Sequence, residues 1–145
     1  MPLGVKIGPV REIQAVRRFG LLLLLVPLLA ACNGGTVDLH ALTNDSAAID
    51  SLACEGALLA NQVAHDASTS PFTRVHAGEL AQRASNFEDA LSQRPTTPGI
   101  EKAVRDEAAK AGKIAGLLGE LEADPTDSQR AAELKGRLEQ AGGCA

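Results

Sequence analysis

The amino-acid sequence predicts an all-α protein that folds as a small four-helix bundle. The first observation is composition: Ala and Leu supply most of the apolar residues, and the chain of 145 residues has three Phe, no Tyr and no Trp. Ala and Leu favour helices, whereas aromatic and β-branched residues favour strands. The second observation is that apolar residues recur every three to four positions in four segments separated by Pro-bearing turns. Short connections make consecutive helices antiparallel, so we expect an up-down-up-down arrangement.

The first 31 residues predict an export signal that is removed from the mature protein. The positive charges of this segment lie within residues 1–18, and an apolar run of 13 residues follows at 19–31. A membrane-spanning helix needs about 20 apolar residues, so this run is too short to span a bilayer. Its length is typical of the hydrophobic core of a signal peptide. Residues 1–31 are therefore expected to direct export and then to be cleaved.

The residues Leu29, Ala30, Ala31 and Cys32 resemble the lipobox of bacterial lipoproteins, in which a Leu and two small residues precede a Cys. The resemblance implies that a peptidase cuts before Cys32, that its thiol receives a diacylglyceryl group, and that the new amino group is open to acylation. Two or three acyl chains anchor a protein stably, at roughly 0.8 kcal/mol per buried CH₂. The alternative is an ordinary secreted protein cut near Ala31, but such sites have a small residue where Leu29 stands.

The remaining chain divides into a tether and one domain. Residues 32–45, which are the lipidated Cys and a segment without helical periodicity, are interpreted as a tether with a reach of roughly 20 Å if flexible. Residues 46–145 are expected to form the bundle. Their Ala-rich composition, with Arg preferred over Lys, resembles that of small helical lipoproteins of high-GC bacteria, although this resemblance carries no functional residue.

The first two predicted helices are bounded by residues typical of helix ends. The first starts at Asp45 or Ser46 as the N-cap and continues to about residue 68. The second has Ser70 as its N-cap and Pro71 at its first helical position, and it stops before Pro95. In each helix one face is apolar and is expected to be buried: Ile49, Leu52, Gly56, Leu59 and Val63 in the first, and Ala77, Leu80, Ala84, Phe87 and Leu91 in the second.

The last two predicted helices are delimited in the same way. The third begins near Thr97 with Pro98 at its first helical position and ends at Asp124, before a Pro. The fourth has Thr126 and Gln129 at capping-box spacing and finishes at residues 142–143, which are both Gly. Their predicted buried faces are Ile100, Val104, Ala111, Ile114, Leu118 and Leu121 in the third, and Ala131, Leu134, Leu138 and Ala141 in the fourth.

Cys54 and Cys144 are predicted to form a disulfide. Export places the mature chain in an oxidising compartment, where the two thiols left after lipidation of Cys32 should pair. Cys54 lies early in the first predicted helix and Cys144 just past the end of the fourth. An even number of antiparallel helices brings these two positions to the same end, whereas three helices would separate them. The alternative is pairing between molecules, which would give a covalent dimer.

Gly112, Gly116 and Gly119 lie within the third predicted helix at the spacing that allows another helix to approach closely. Each Gly inside a helix costs about 1 kcal/mol relative to Ala, so a compensating contact is expected. One interpretation is a neighbouring helix of the same bundle. The other is a surface for self-association or for a partner.

Charge and motif content argue against several functions. The precursor has a net charge of −4, and removal of a leader with four positive residues and one negative residue leaves −7. An acidic chain with few aromatic residues is poorly suited to bind nucleic acid. No catalytic motif, cofactor-binding motif or metal-ligand spacing is present, although His65 and His76 flank the first turn and could meet. The pairs Glu101–Arg105, Asp106–Lys110 and Glu133–Arg137 are interpreted as solvent-exposed i,i+4 ion pairs.

These patterns favour a non-enzymatic lipoprotein of the cell envelope that presents a helical face to another envelope protein. The expected location is the outer face of the cytoplasmic membrane, or an outer membrane if the host has one, with the lipid on Cys32 as the membrane contact. The alternative is a helical carrier that binds a small apolar ligand or lipid. An enzyme is disfavoured because the chain lacks a catalytic constellation.

Overall fold

Four helices account for most of the residues that the structure describes. The computed structural model describes residues 35–144, in which α1 is Leu39–Ala64, α2 is Ser70–Gln93, α3 is Glu101–Ala123 and α4 is Ser128–Gly142. The all-α prediction and the number of helices are confirmed. The predicted signal peptide and Cys32 lie outside the described residues. None of the four helices is both long enough and apolar enough to cross a membrane.

α1 begins seven or eight residues earlier than predicted from Asp45 or Ser46 as its N-cap. Asp38 is the N-cap, and its side chain accepts a hydrogen bond of 2.8 Å from the backbone N–H of Ala41. Neither Asp45 nor Ser46 caps a helix, because both lie inside α1. The predicted tether 32–45 is therefore too long: its second half is helical, and its polar residues lie on the exposed side of a helix that continues into the core.

Val37 is attached to the connection between α2 and α3. Its N–H donates to the carbonyl of Pro95 at 2.7 Å, its carbonyl accepts from the N–H of Thr97 at 2.9 Å, and its side chain is fully buried. The pairing is a single parallel β-bridge with Thr96. Because both backbone groups and the side chain are engaged, we expect the chain to be fixed to the bundle from residue 37 onward.

Except for the end of α4, the other helix ends differ from the prediction by one to four residues. α2 has Thr69 rather than Ser70 as its N-cap. α3 starts at Glu101 because Gly99, with φ of 99°, adopts a turn conformation that no helix contains, and the Glu101 carboxylate accepts from the Gly99 N–H. α4 is capped by Asp127, which accepts from the Arg130 N–H, and not by the predicted Thr126. The predicted end of α4 is confirmed, since Gly143 is left-handed with φ of 62°.

The core consists of the predicted apolar faces. α2 packs most closely against α3, and α1 packs most closely against α4. Phe87, Ile100 and Ala141 are partly buried against this core, and every other residue of the four predicted faces is buried. Ala and Gly at many interface positions allow the helices to lie close together, as expected from the composition.

α4 is the shortest helix, with 15 residues against 26 in α1. At about 1.5 Å per residue, α4 covers little more than half the length of α1. Its C-terminal end meets α1 near Ala53, where a Cβ on Gly142 would lie 2.7 Å from the Ala53 Cβ. The first half of α1 therefore packs against α2 and α3, while its second half also contacts α4.

Candidate functional site

Cys54 and Cys144 form the predicted disulfide, with their Cα atoms 5.6 Å apart. Cys54 lies near the middle of α1 rather than early in it, because α1 starts at Leu39. The bond still joins the two positions that the helix count predicted, since the short α4 ends at the middle of α1. It fastens the last helix to the first.

Gly112 makes room for a side chain of α2. A Cβ on Gly112 would lie 2.7 Å from the Glu88 carboxylate, and a Cβ on Gly78 of α2 would lie 3.0 Å from the Glu122 carboxylate of α3. Each of the two antiparallel helices thus has a Gly beneath a Glu of the other. The predicted contact with a neighbouring helix is correct for Gly112 only.

Gly116 and Gly119 do not contact another helix of the bundle. No atom lies within 4 Å of the position that a Cβ would occupy on either residue. The expectation that a neighbouring helix explains these glycines is wrong, because α2 follows the side of α3 that carries Gly112 and its buried apolar residues. Nothing in the described part of the chain explains Gly116 or Gly119.

His65 and His76 have different partners. His65 Nδ1 lies 2.8 Å from the Asn61 carbonyl at the end of α1, whereas His76 Nε2 lies 3.0 Å from Glu55 Oε1. Within residues 35–144, no group of three or more His, Cys, Asp or Glu side chains is arranged to hold a metal ion.

The main candidate site is a group of exposed apolar side chains on α1 and α2, which we call the α1–α2 patch: Leu58, Phe72 and Val75. Their exposed fractions are 67%, 55% and 63%. The contact between Glu55 and His76 joins the two helices at this place. Leu58 lies one turn beyond Glu55, Val75 is next to His76, and the Phe72 ring stacks on the His76 ring with centroids 5.5 Å apart.

The patch was not predicted from the sequence, although a signal was present. Leu58, Phe72 and Val75 are large apolar residues that lie off the predicted buried faces of their helices. A large apolar side chain outside the buried face is either an isolated exposed residue or part of a contact surface. The sequence alone does not tell these apart, because it does not show that Glu55 and His76 bring the two helices together here.

A depression of about 610 Å³ lies between α2 and α3 near their connection. The buried side chains of Leu91 and Val104 line it together with four charged residues: Glu88, Arg94, Glu101 and Arg105. Sites for apolar ligands are lined predominantly by hydrophobic and aromatic side chains. The mixed lining of this depression therefore does not favour the carrier alternative.

Lys110 forms a partly buried charge cluster with Asp50 of α1 and Glu107 of its own helix. Its Nζ lies 2.7 Å from Asp50 Oδ1 and 2.5 Å from Glu107 Oε1. The predicted i,i+4 pair of Asp106 with Lys110 is wrong, since Asp106 pairs with Lys102. Burial lowers the pKa of Lys110, but the hydrogen bonds to Asp50 and Glu107 outweigh it, so the pKa is above its ordinary value.

We expect Lys110→Met to lower the free energy of unfolding by about 1 to 2 kcal/mol, between the effects of exposed and of buried ion pairs. The matched control is Lys102→Met, whose side chain is 82% exposed and whose loss should change little. Because the folded-state pKa is raised, the stabilisation should persist at neutral pH and be lost as pH rises above about 10.4. Urea denaturation at several pH values measures the loss of stability and its pH dependence. Equal effects of Lys110→Met and Lys102→Met would contradict the expectation.

The second predicted pair that changes partner involves Arg137. Arg130 contacts Glu120 of α3 and Glu133 of its own helix, and Arg137 lies 3.5 Å from Glu120 Oε2. Two arginines of α4 therefore contact the Glu120 carboxylate. These contacts link α3 to α4.

No protein-family model, curated protein or solved structure matches the chain.

Proposed function

We propose that the protein is a non-enzymatic bacterial lipoprotein, anchored through lipid on Cys32, that binds another envelope protein through the α1–α2 patch. Its place is the outer face of the cytoplasmic membrane, or the outer membrane of a host that has one. The observation that carries the binding role is the exposure of Leu58, Phe72 and Val75 around one contact between two helices.

The composition of the patch fits a protein partner. Aromatic residues are enriched at the centres of protein interfaces, and polar groups surround them. Here the Phe72 ring stacks on the His76 ring, with centroids 5.5 Å apart, and offers an aromatic surface for a partner to cover. Glu55 and His76 provide polar groups next to these apolar side chains. The partner we expect has an apolar groove with hydrogen-bonding groups opposite this pair.

The lipid anchor is supported by the leader. Residues 1–31 have the charge and length of an export signal, and Leu29, Ala30, Ala31 and Cys32 have the lipobox pattern. An anchor with two or three acyl chains holds a protein stably on a bilayer. A small bundle on such an anchor would meet its partner by diffusion in the plane of the membrane.

A photo-crosslinking amino acid placed at Val75 tests the proposal in cells grown with labelled palmitate. We expect a labelled adduct with one envelope protein, and we expect Phe72→Ala to weaken binding about tenfold or more. A crosslinker at Lys102, on the exposed surface of α3, is the control and should give no such adduct. Equal adducts at Val75 and Lys102 would refute the patch, and label retained in Cys32→Ala would refute the anchor.

A further inference from the structure

The position of Val37 decides how far the bundle can move from a lipid on Cys32. Val37 is fully buried, and its N–H and carbonyl are bonded to Pro95 and Thr97. Four residues lie between Cys32 and Val37. A fully extended chain spans about 3.3 to 3.6 Å per residue, so five steps cover at most about 18 Å. A flexible tether that extended to residue 45, as predicted, would have allowed a much larger range.

The end of the bundle at Val37 is therefore the end held near the bilayer. This end comprises the start of α1 and the turn between α2 and α3, which we call the proximal end: residues 37–40 and 95–100. Leu39 lies here and is 68% exposed, although it is a large apolar residue. An exposed Leu beside a lipid anchor contributes to membrane attachment when its side chain enters the interface.

The α1–α2 patch lies far from the proximal end. Leu58 is 19 residues after Leu39 on the same helix, which corresponds to roughly 28 Å at 1.5 Å per residue. Phe72 is at the start of α2, and α2 runs back toward the proximal end, where it leads into the connection that holds Val37. The two exposed apolar regions thus lie toward opposite ends of α1.

We infer that the proximal end lies against the bilayer with Leu39 in the headgroup region, so that the α1–α2 patch points away from the membrane toward a protein partner. The inference rests on the proposed lipid anchor. The proximal end contacts the surface of the bilayer that holds the anchor, because the chain between Cys32 and Val37 is too short to let this end move away.

Single tryptophans test this orientation, because the chain has no Trp of its own. Leu39→Trp and Phe72→Trp replace exposed residues at the proximal end and in the patch. Each lipidated variant is reconstituted into phosphatidylcholine vesicles with and without brominated phosphatidylcholine. We expect brominated lipid to quench the Leu39→Trp fluorescence and to leave the Phe72→Trp fluorescence unchanged. Aqueous acrylamide should quench Phe72→Trp more than Leu39→Trp.

A longer tether provides the matched control. A Gly-Ser segment of about ten residues inserted between Gly35 and Thr36 adds about 33 to 36 Å to the fully extended span. In that variant the quenching of Leu39→Trp by brominated lipid should fall, while the protein still floats with the vesicles. Flotation with equal quenching at both positions, or at neither, would overturn the orientation alone. Failure of the protein with its own tether to float would overturn the lipid anchor and the orientation together.

Discussion

Replacing both Cys54 and Cys144 with Ser is expected to lower the free energy of unfolding by about 4 to 5 kcal/mol. The two cysteines are 90 residues apart, and a bond that closes a loop of this length restricts the unfolded chain strongly in the chain-entropy model. Domains of this size are stable by only about 5 to 15 kcal/mol, so the change is a large share of the total. Urea denaturation followed by far-UV circular dichroism measures it, since the chain has no Trp or Tyr to report by fluorescence.

The loss of stability in the variant without the disulfide should be greatest in α4. This helix has 15 residues, and an isolated helix of that length is marginal in water. Without the bond, its amides should exchange with solvent faster than those of α2 and α3 under native conditions. Reduction of the unmodified protein should reproduce the effect of the double substitution. An unfolding midpoint that does not respond to reductant, or a covalent dimer on a non-reducing gel, would contradict an internal bond with this role.

Local pattern was sufficient to predict most of the fold. Within each helix the apolar residues recur every three to four positions, which places them on one side. That side is buried, as it is at Leu80 in α2, Ile114 in α3 and Leu134 in α4. The pairing of Cys54 with Cys144 was predicted correctly, but the premise that both lie at one end of the bundle was wrong, because Cys54 lies at the middle of α1, where the short α4 ends. The helices and their buried sides depend on neighbours along the chain.

The start of α1 was not predictable in this way. Leu39 and Leu42 are the only large apolar residues in 39–45, so the helical pattern there is weak, and the start of the helix is set by Asp38, whose side chain caps it. Val37 contacts Pro95 and Thr97, about 60 residues further along, and the sequence near Val37 contains no sign of these partners. The charge cluster of Lys110 was missed for the same reason, because Asp50 is equally distant in sequence.

The candidate site depends on such distant contacts as well. Phe72 and Val75 are exposed on α2, and Leu58 is exposed on α1, and the contact of Glu55 with His76 relates the two helices beside them. A sequence pattern describes one helix at a time. The surface that two helices make together follows from the angle and register of their packing, which the sequence pattern does not contain.

Leu118→Ala is expected to lower the free energy of unfolding by about 3 to 4 kcal/mol. Leu118 is fully buried on α3, where its Cδ2 packs against Gly56 of α1. Truncation removes the burial of the side chain and leaves a cavity, and both terms destabilise. The cavity should form where α1, α3 and α4 meet, because Leu138 of α4 also lies next to Gly56. Urea denaturation of the single variant measures the change.

Adding Gly56→Ala should partly reverse this loss. In the unmodified protein a Cβ on Gly56 would lie 2.5 Å from Leu118 Cδ2, so overpacking offsets the gain of about 1 kcal/mol in helix propensity. In Leu118→Ala the obstacle is gone and the new methyl group fills part of the cavity, so Gly56→Ala should stabilise that variant by about 1 to 2 kcal/mol. Gly136→Ala is the control, because no atom lies within 4 Å of its Cβ position and its effect should be the same in both backgrounds. Additive effects of Gly56→Ala and Leu118→Ala in the double-mutant cycle would show that α1 and α3 do not pack through this contact.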